Sequence, residues 1–312
     1  MVVVRSLKSV EFNAHSVVSV GTFDGIHKGH QVIIGKVADR ARSMNGRSVI
    51  ITFDPHPRAV VGKEPITLLM TLEERIDIMT ELGIDLLFVI NFTREFAQLS
   101  AREFYGRYIV NGTGAEEVIV GHDHMFGKDR LSGIDELKIM SREYGFALVV
   151  VDPVYHGDHR ISSSKIRHFL EAGDVERAAT FLGRLYNLEG VVVEGDKRGI
   201  TLGFPTANIK PVHKDKIIPA DGVYCVEVDI GGQRAYGMLN IGVRPTFQSA
   251  PVRIIEVHVF GIGDILYGKI LNLRFLCRLR DERKFASPSD LVVQLERDRE
   301  SCKVFINEKY KT

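Results

Sequence analysis

The feature that most constrains this chain is an apolar run, Val17-Val-Ser-Val20, followed at once by Gly21-Thr-Phe-Asp-Gly-Ile-His-Lys-Gly-His30 and then by a helical pattern. It reads as a strand, a tight glycine turn and a helix start. Gly21, Gly25 and Gly29 let the backbone turn sharply and approach a ligand closely, because no Cβ stands in the way. Over residues 31–44, Val32, Ile33, Val37 and Ala41 recur with helical period, which puts His30 near a first helical turn. Free amides and the positive dipole end there favour phosphate. His27 and His30 are three apart, so their imidazoles share a face and both are able to donate to one phosphoryl group. Phosphoryl chemistry is the expectation. A glycine turn with two solvated histidines, or an incidental metal pair, is the plain alternative.

The next segments repeat the strand and helix alternation. Ser48-Val-Ile-Ile-Thr-Phe53 reads as a strand that ends in Asp54-Pro-His-Pro57, where two prolines exclude a helix. The order strand, helix, strand implies parallel pairing, and ligands bind beyond the carboxyl ends of such strands. Asp54 and His56 therefore stand where a substrate would; a proline-locked turn with an Asx hydrogen bond is an equal reading. Thr71 with Glu74, then Leu72, Ile76 and Met79, then Gly83, predict a capped helix with a glycine stop. Asp85-Leu-Leu-Phe-Val-Ile90 is the third strand, and Phe92 and Phe96 beyond it either stack on a flat ligand or cover the sheet, with core packing the ordinary reading.

Residues 100–110 are predicted helical, and Glu117-Val-Ile-Val-Gly121 is a fourth strand running into the polar stretch His122-Asp-His-Met-Phe-Gly-Lys-Asp-Arg130. A helix over 132–144 and the strand Ala147-Leu-Val-Val-Val151 follow. In Arg160-Ile-Ser-Ser-Ser-Lys-Ile-Arg167, the serines make an N-cap whose amides and hydroxyls, with Lys165 and Arg167, suit a triphosphate; an ordinary serine cap is the alternative.

After Arg184 the pattern changes to glycine-punctuated β segments, so a boundary is expected near 184–187, with domains over 1–184 and 185–312. Runs at 191–194, 222–228, 235–240, 252–260 and 270–279 predict a small closed or sandwiched β fold, and Ser287-Pro-Ser-Asp290 starts a terminal helix. Two features here carry chemistry. Gly195-Asp-Lys-Arg-Gly-Ile-Thr-Leu-Gly-Phe-Pro-Thr-Ala-Asn208 is a glycine-rich basic loop that presents Thr206 and Asn208 on one face of an extended segment, hard oxygen donors that suit Mg²⁺ and phosphates, with Lys197 and the loop amides holding a nucleotide. Ordinary turn-formers are the alternative. Glu256, in Arg253-Ile-Ile-Glu-Val-His-Val-Phe260, lies on a strand apolar on both faces, so it is either salt-bridged or a positioned base.

Length and composition fit this division. A chain of 312 residues, 45% apolar and 26% charged, is long enough for two soluble domains. A formal net charge of +1 gives no electrostatic case for nucleic acid. Cys225, Cys277 and Cys302 are far apart without metal spacing and are expected to be reduced and buried. No apolar run approaches a membrane span, so a cytoplasmic protein without a membrane partner, a monomer or weak homo-oligomer, is expected.

The whole set of motifs resembles one family. His27-Lys-Gly-His30 is similar to the H-x-G-H nucleotidyltransferase signature. With Thr52-Phe-Asp-Pro-His-Pro57, the stretch from Gly121 and Ile161-Ser-Ser-Ser-Lys-Ile-Arg167, it resembles the adenylyltransferase half of bacterial bifunctional riboflavin kinase/FAD synthetases. Gly203-Phe-Pro-Thr-Ala-Asn208, Asn240-Ile-Gly-Val-Arg-Pro-Thr-Phe247, Glu256-Val-His258, Leu266-Tyr-Gly268 and Leu279-Arg-Asp-Glu-Arg-Lys-Phe285 resemble the kinase half. The resemblance implies an α/β plus β protein: a Rossmann-like nucleotidyltransferase domain with a parallel sheet, then a six-stranded β-barrel with a terminal helix. It implies His27 and His30 as stabilisers of ATP phosphates during adenylyl transfer to FMN, and Glu256 as the base for the riboflavin 5′-hydroxyl. Nucleotide contacts are expected at Gly21, Phe23, Asp24, Gly25, Gly29, Ser162, Ser164, Arg167, Lys197, Gly203, Thr206 and Asn208, and flavin contacts at Asp54, His56, Asp123, Phe126, Arg280 and Arg283. Mg²⁺ is expected on Thr206 and Asn208, with ATP, riboflavin, FMN and FAD as substrates or products. A chain retaining one activity, or a flavin-binding regulatory or carrier protein, is the rival.

Overall fold

In the computed structural model, which describes residues 1–62, 65–127, 133–195, 199, 202–244, 252–262 and 267–309, the apolar runs of the first half become a parallel sheet. Its strands are β1 (Val2–Val4), β2 (Ser16–Val20), β3 (Arg47–Asp54), β4 (Leu86–Asn91), β5 (Ala115–Gly121) and β6 (Ala147–Val151). They lie in the order β1-β4-β3-β2-β5-β6, and each neighbouring pair is parallel. The chain moves outward from β2 through β3 to β4 and then returns to the other side of β2 for β5. That reversal opens a crevice at the carboxyl ends of β2 and β5, where open α/β sheets hold their ligands.

Helices α1 (Lys28–Ser43), α2 (Pro57–Val61), α3 (Leu72–Glu81), α4 (Ala101–Phe104) and α5 (Ile134–Tyr144) make the crossovers. One core forms around Val18, Phe88, Phe104, Tyr105 and Met140, and a second around Ile34, Val37, Ile50, Leu87 and Met79. Alternate residues of a strand therefore bury into different cores, which is why both faces of these strands are apolar. The predicted box on α3 is present, with Glu74 N–H donating to Thr71 Oγ1 and the Thr71 amide donating to Glu74 Oε2.

Several expectations change. The two prolines do not exclude a helix: Pro57 occupies the first helical position of α2, where its missing N–H has no helical acceptor and its fixed φ suits the turn. The predicted helix at 100–110 is α4 continuing into a π-helical turn, Tyr105–Thr113. β1 and the small hairpin of β7 (Tyr155–His156) and β8 (His159–Arg160) are additions, each too short to leave a periodic signal.

The chain divides into compact units at Met1–Ser163 and Ser164–Thr312. In the second, α6 (Ser163–Glu171) and α7 (Val175–Leu182) are grouped with the β-rich part: the Ala220 amide donates to Leu170 O at 2.9 Å and Arg278 Nη1 to Ala172 O at 3.2 Å. Six strands, β9 (Asn187–Val193), β10 (Ala207–Pro211), β11 (Gly222–Ile230), β12 (Gln233–Arg244), β13 (Val252–Val259) and β14 (Ile270–Arg280), close into an antiparallel barrel in the order β10-β13-β12-β11-β14-β9. β10 is the strand that the patterning showed only as an extended segment. Helix α8 (Pro288–Lys309) starts where expected, its Asp290 amide held by Ser287 Oγ at 3.1 Å. Its Cys302 and Ile306 pack with Phe204, Cys225, Met238 and Cys277 of the barrel side. All three cysteines are free and buried, as expected. No helix among the described residues is long and apolar enough to cross a membrane.

Candidate active sites

The first site grows out of the turn after β2. Phe23 (φ 49°), Gly25 (φ 89°) and Ile26 (φ 33°) all take left-handed backbone conformations, a cost of order 1–3 kcal/mol for each of the two non-glycine residues. Both of those side chains are fully buried, which contributes about 1.5–3 kcal/mol apiece and offsets the strain. Asp24 is also buried, and its carboxylate accepts from the Leu69 and Met70 amides at 3.0 and 3.1 Å, while Ser163 Oγ donates to its carbonyl at 2.9 Å. Asp24 thus braces the turn from beneath.

The turn delivers His27 as the N-cap of α1. Its Nδ1 accepts the His30 amide at 3.2 Å, so the proton of the neutral ring resides on Nε2 and that edge is a donor. The two imidazoles stack with centroids 3.7 Å apart and planes 14° from parallel, and Phe23 meets His30 edge-on at 5.3 Å. Gly29 is needed for space: a Cβ there would lie 3.2 Å from the His27 ring. The cap takes one amide of the first turn and leaves those of Lys28 and Gly29 without a helical acceptor.

Neighbouring strands bring the other expected residues to the same edge of the sheet. At the end of β3, Asp54 pairs with Arg5 at 3.5 Å, and His56 caps α2 by accepting the Arg58 amide on Nδ1 at 3.1 Å. Beyond β5, Asp123 pairs with Arg160, and Phe126 stacks on Phe104 at 4.0 Å. Phe92 and Phe96 belong to that aromatic core, packing edge-on against each other at 5.5 Å. His124 bonds to Tyr105 Oη at 2.8 Å, and burial, opposed by the Asp123 charge, lowers its pKa to about 4. Ser162 lies in the first unit, whereas Ser164 and Arg167 open the second.

The second site is set by strand register. Glu256 on β13 stands opposite Asn208 on β10 and opposite Asn240 on β12, which puts the three side chains in one row across adjacent strands. Ile255, Val257 and Val259 are buried, so the row lies on the other, half-buried face of β13. Thr206 stands two residues before Asn208. His258, on the face of Glu256, donates from Nδ1 to Pro205 O at 2.7 Å and meets Phe204 at 5.3 Å, which ties the Phe204 to Thr206 turn to the same strand. A Cβ at Gly195 would overlap the Asn208 carboxamide, so the chain approaches that side chain as closely as glycine permits. Gly203 takes a left-handed φ of 78° in the loop; Lys197 lies outside the described residues.

The two arginines expected at the flavin are tied to α8. Arg280 forms a fork on the buried Asp298, with Nε at 2.9 Å and Nη2 at 2.8 Å from Oδ2. Arg283 bonds to Gln294, which donates to Asp298 at 2.7 Å, and its guanidinium lies over Phe285 at 5.0 Å. Among the described residues no group of three or more His, Cys, Asp or Glu side chains is arranged to hold a metal.

A family model described as FAD synthetase matches residues 9–165, and one described as riboflavin kinase matches residues 182–306. The bifunctional riboflavin kinase/FMN adenylyltransferase of Bacillus subtilis (strain 168) is 38% identical over 304 residues, covering 95% of each chain. The chain belongs to the bifunctional riboflavin kinase/FMN adenylyltransferase family. The Escherichia coli (strain K12) member is 32% identical over 291 residues, covering 93% of this chain and 92% of its own. A crystal structure described as a macrolide-efflux protein from Streptococcus pneumoniae superposes with a TM-score of 0.88 at 32% identity over 97% of this chain and 98% of that one.

One residue of this family member, and the placement of another, were not legible from sequence. Arg75 is buried, and its Nη1 donates to Thr52 Oγ1 at 2.8 Å and to Phe53 O at 3.2 Å, while Thr52 Oγ1 donates to Thr22 O at 3.2 Å. It anchors the end of β3 to the histidine turn; desolvation lowers its pKa against the opposing charges of Asp24 and Asp54. A signal existed, since position 75 falls on the buried stripe of α3 with Leu72 and Met79. Asn240 opens one of the kinase-like segments, but only the register places it beside Glu256.

Proposed function

We propose that each half of the chain carries its family activity on the residue set described above, with the domains meeting near residue 184. In the second half, the Glu256 carboxylate takes the proton of the riboflavin 5′-hydroxyl as that oxygen attacks the γ-phosphorus of ATP, and the bond to the β-phosphate oxygen breaks to release ADP. Asn208 and Asn240 flank the base and hold it in register. Mg²⁺ fits the donors available: the Thr206 hydroxyl and the Asn208 carboxamide are hard oxygen ligands that would hold the ion, and it would supply charge neutralisation at the ATP phosphates. Gly203 and Lys197 complete the nucleotide side. Arg283, at the exposed end of its loop, meets the flavin, while Arg280 supports that loop from Asp298.

In the first half, a phosphate oxygen of FMN attacks the α-phosphorus of ATP and pyrophosphate leaves. His27 Nε2–H and the His30 ring donate to the phosphates, joined by the Lys28 and Gly29 amides at the positive end of α1. Ser162, Ser164 and Arg167 hold the leaving phosphates, and Asp54, His56, Asp123 and Phe126 line the flavin side. No covalent intermediate forms. The protein works in the cytoplasm on small molecules, as a monomer or weak homo-oligomer.

The observation that carries this reading furthest is the row Asn208, Glu256, Asn240, because a carboxylate between two carboxamides on one barrel face has the composition of a positioned base. The test is chromatography of products from riboflavin, ATP and Mg²⁺. FMN with ADP, followed by FAD with pyrophosphate, is the expected result; absence of all four products sinks the enzyme reading and leaves a flavin carrier.

A further inference from the structure

The loop after β14 carries a second carboxylate that the scheme above does not use. Glu282 lies against β12 at Gly242, where any Cβ would collide with its carboxylate oxygens. Gly242 is two residues along β12 from Asn240 and stands opposite Ile254, two residues from Glu256 on β13. Alternate strand residues share a face, so the Glu282 carboxylate projects beside the Asn208, Glu256, Asn240 row, at the diagonal spacing of about 7–8 Å from the Glu256 position. Glu282 is exposed to solvent. The structure therefore has two acidic groups on one face, one at the reacting end and one a short chain-length away, with bare glycine backbone beneath the second.

We propose that Glu282 is a specificity-determining residue of the kinase half: its carboxylate accepts hydrogen bonds from the ribityl hydroxyls of riboflavin and repels the phosphate of FMN. An acceptor-only group suits a neutral polyol, whose hydroxyls donate. The same group is a like charge toward the product once the 5′-oxygen carries a phosphate, so product is disfavoured where substrate is held. The glycine at 242 matters because it lets the carboxylate lie against the strand and not above it. The inference rests on Glu256 being the base, and its test is separable from that reading.

The experiment measures initial rates of ADP formation by the full-length protein with riboflavin, ATP and Mg²⁺, with FMN added as inhibitor; ADP reports the kinase step alone, because adenylyl transfer releases pyrophosphate. Glu282→Gln is expected to raise the riboflavin KM several-fold and to tighten inhibition by FMN about tenfold, the scale of one like-charge contact near a solvated surface, with kcat within about twofold. Glu282→Asp should keep rejection of FMN, and Gly242→Ala, which displaces the carboxylate, should move both constants in the Glu282→Gln direction. Unchanged FMN inhibition in Glu282→Gln overturns the proposal. So does a fall in kcat accompanied by a higher Mg²⁺ requirement, which would make Glu282 a metal ligand. Retention of ADP formation by Glu256→Gln would instead remove the base and leave the Glu282 result to stand or fall by its own inhibition constants.

Discussion

The two active regions are assembled by different means. In the adenylyltransferase half, the two histidines proposed to meet the phosphates come from one turn, and the backbone itself is bent into shape: left-handed turn residues, a helix start and a histidine that caps the helix it precedes. In the kinase half, Asn208, Asn240 and Glu256 come from three separate strands, and only the pairing of β10, β13 and β12 brings them together. A site built from one turn depends on local conformation. A site built from register depends on the whole barrel being closed.

Each prediction presses on that contrast. The largest effect is expected from Glu256→Gln, which should lower the rate of FMN formation from riboflavin by about 10²–10⁴-fold while FAD formation from supplied FMN continues. His27→Ala should do the opposite, with FAD formation falling about 10²–10³-fold and ADP release from riboflavin intact. Because His27 is also a helix cap, His27→Asn is the control: it restores the cap without the Nε2 donor and should recover stability but not activity. Loss of both activities in either folded single variant would break the account of two independent sites.

Asp298→Ala should act on the register-built half as a whole. It strands the Arg280 guanidinium in a site where Asp298 is 4% exposed, a loss of about 3–5 kcal/mol that a denaturant titration of the full-length protein should show. A loss below about 1 kcal/mol would mean that α8 does not brace the barrel. Gly29→Ala is a gentler test of the turn-built half. Its methyl pushes on the His27 ring and should lower FAD formation about tenfold, with little change in melting temperature.

A further test concerns pH. The folded chain holds His124 near a pKa of about 4, below its ordinary 6.5, chiefly through burial. Between those values the unfolded chain binds a proton that the folded one refuses, so stability is full above about 6.5 and declines as pH falls toward about 4. Melting temperatures across that range should follow this slope, and His124→Gln, which keeps a partner for Tyr105, should flatten it.

The same contrast explains what was legible in the sequence. Glycine spacing, the apolar strand before it and the helical period after it announced the histidine turn, because those three signals are local. The capping box at Thr71 and the serine cap at Ser287 were legible for the same reason. Asp24 was expected among the nucleotide contacts, and its bonds to the Leu69 and Met70 amides depend on residues more than forty positions away. In the barrel, alternation left open whether Glu256 was a salt-bridge partner or a base, since nothing local tells which residues face it from β10 and β12. The fork between Arg280 and Asp298 was equally invisible, because it joins a strand end to a helix interior.

The three cysteines add a practical consequence. Cys225 and Cys277 face each other on β11 and β14, Cys302 of α8 closes over them, and the hydrogen bond to Cys225 together with burial pushes the Cys277 thiol well above its ordinary pKa. While α8 is seated, a thiol reagent has no thiolate to attack; when the helix lifts, three become reachable at once. Alkylation rate is thus a built-in clock for helix undocking, one that runs without substrate and without any added label site.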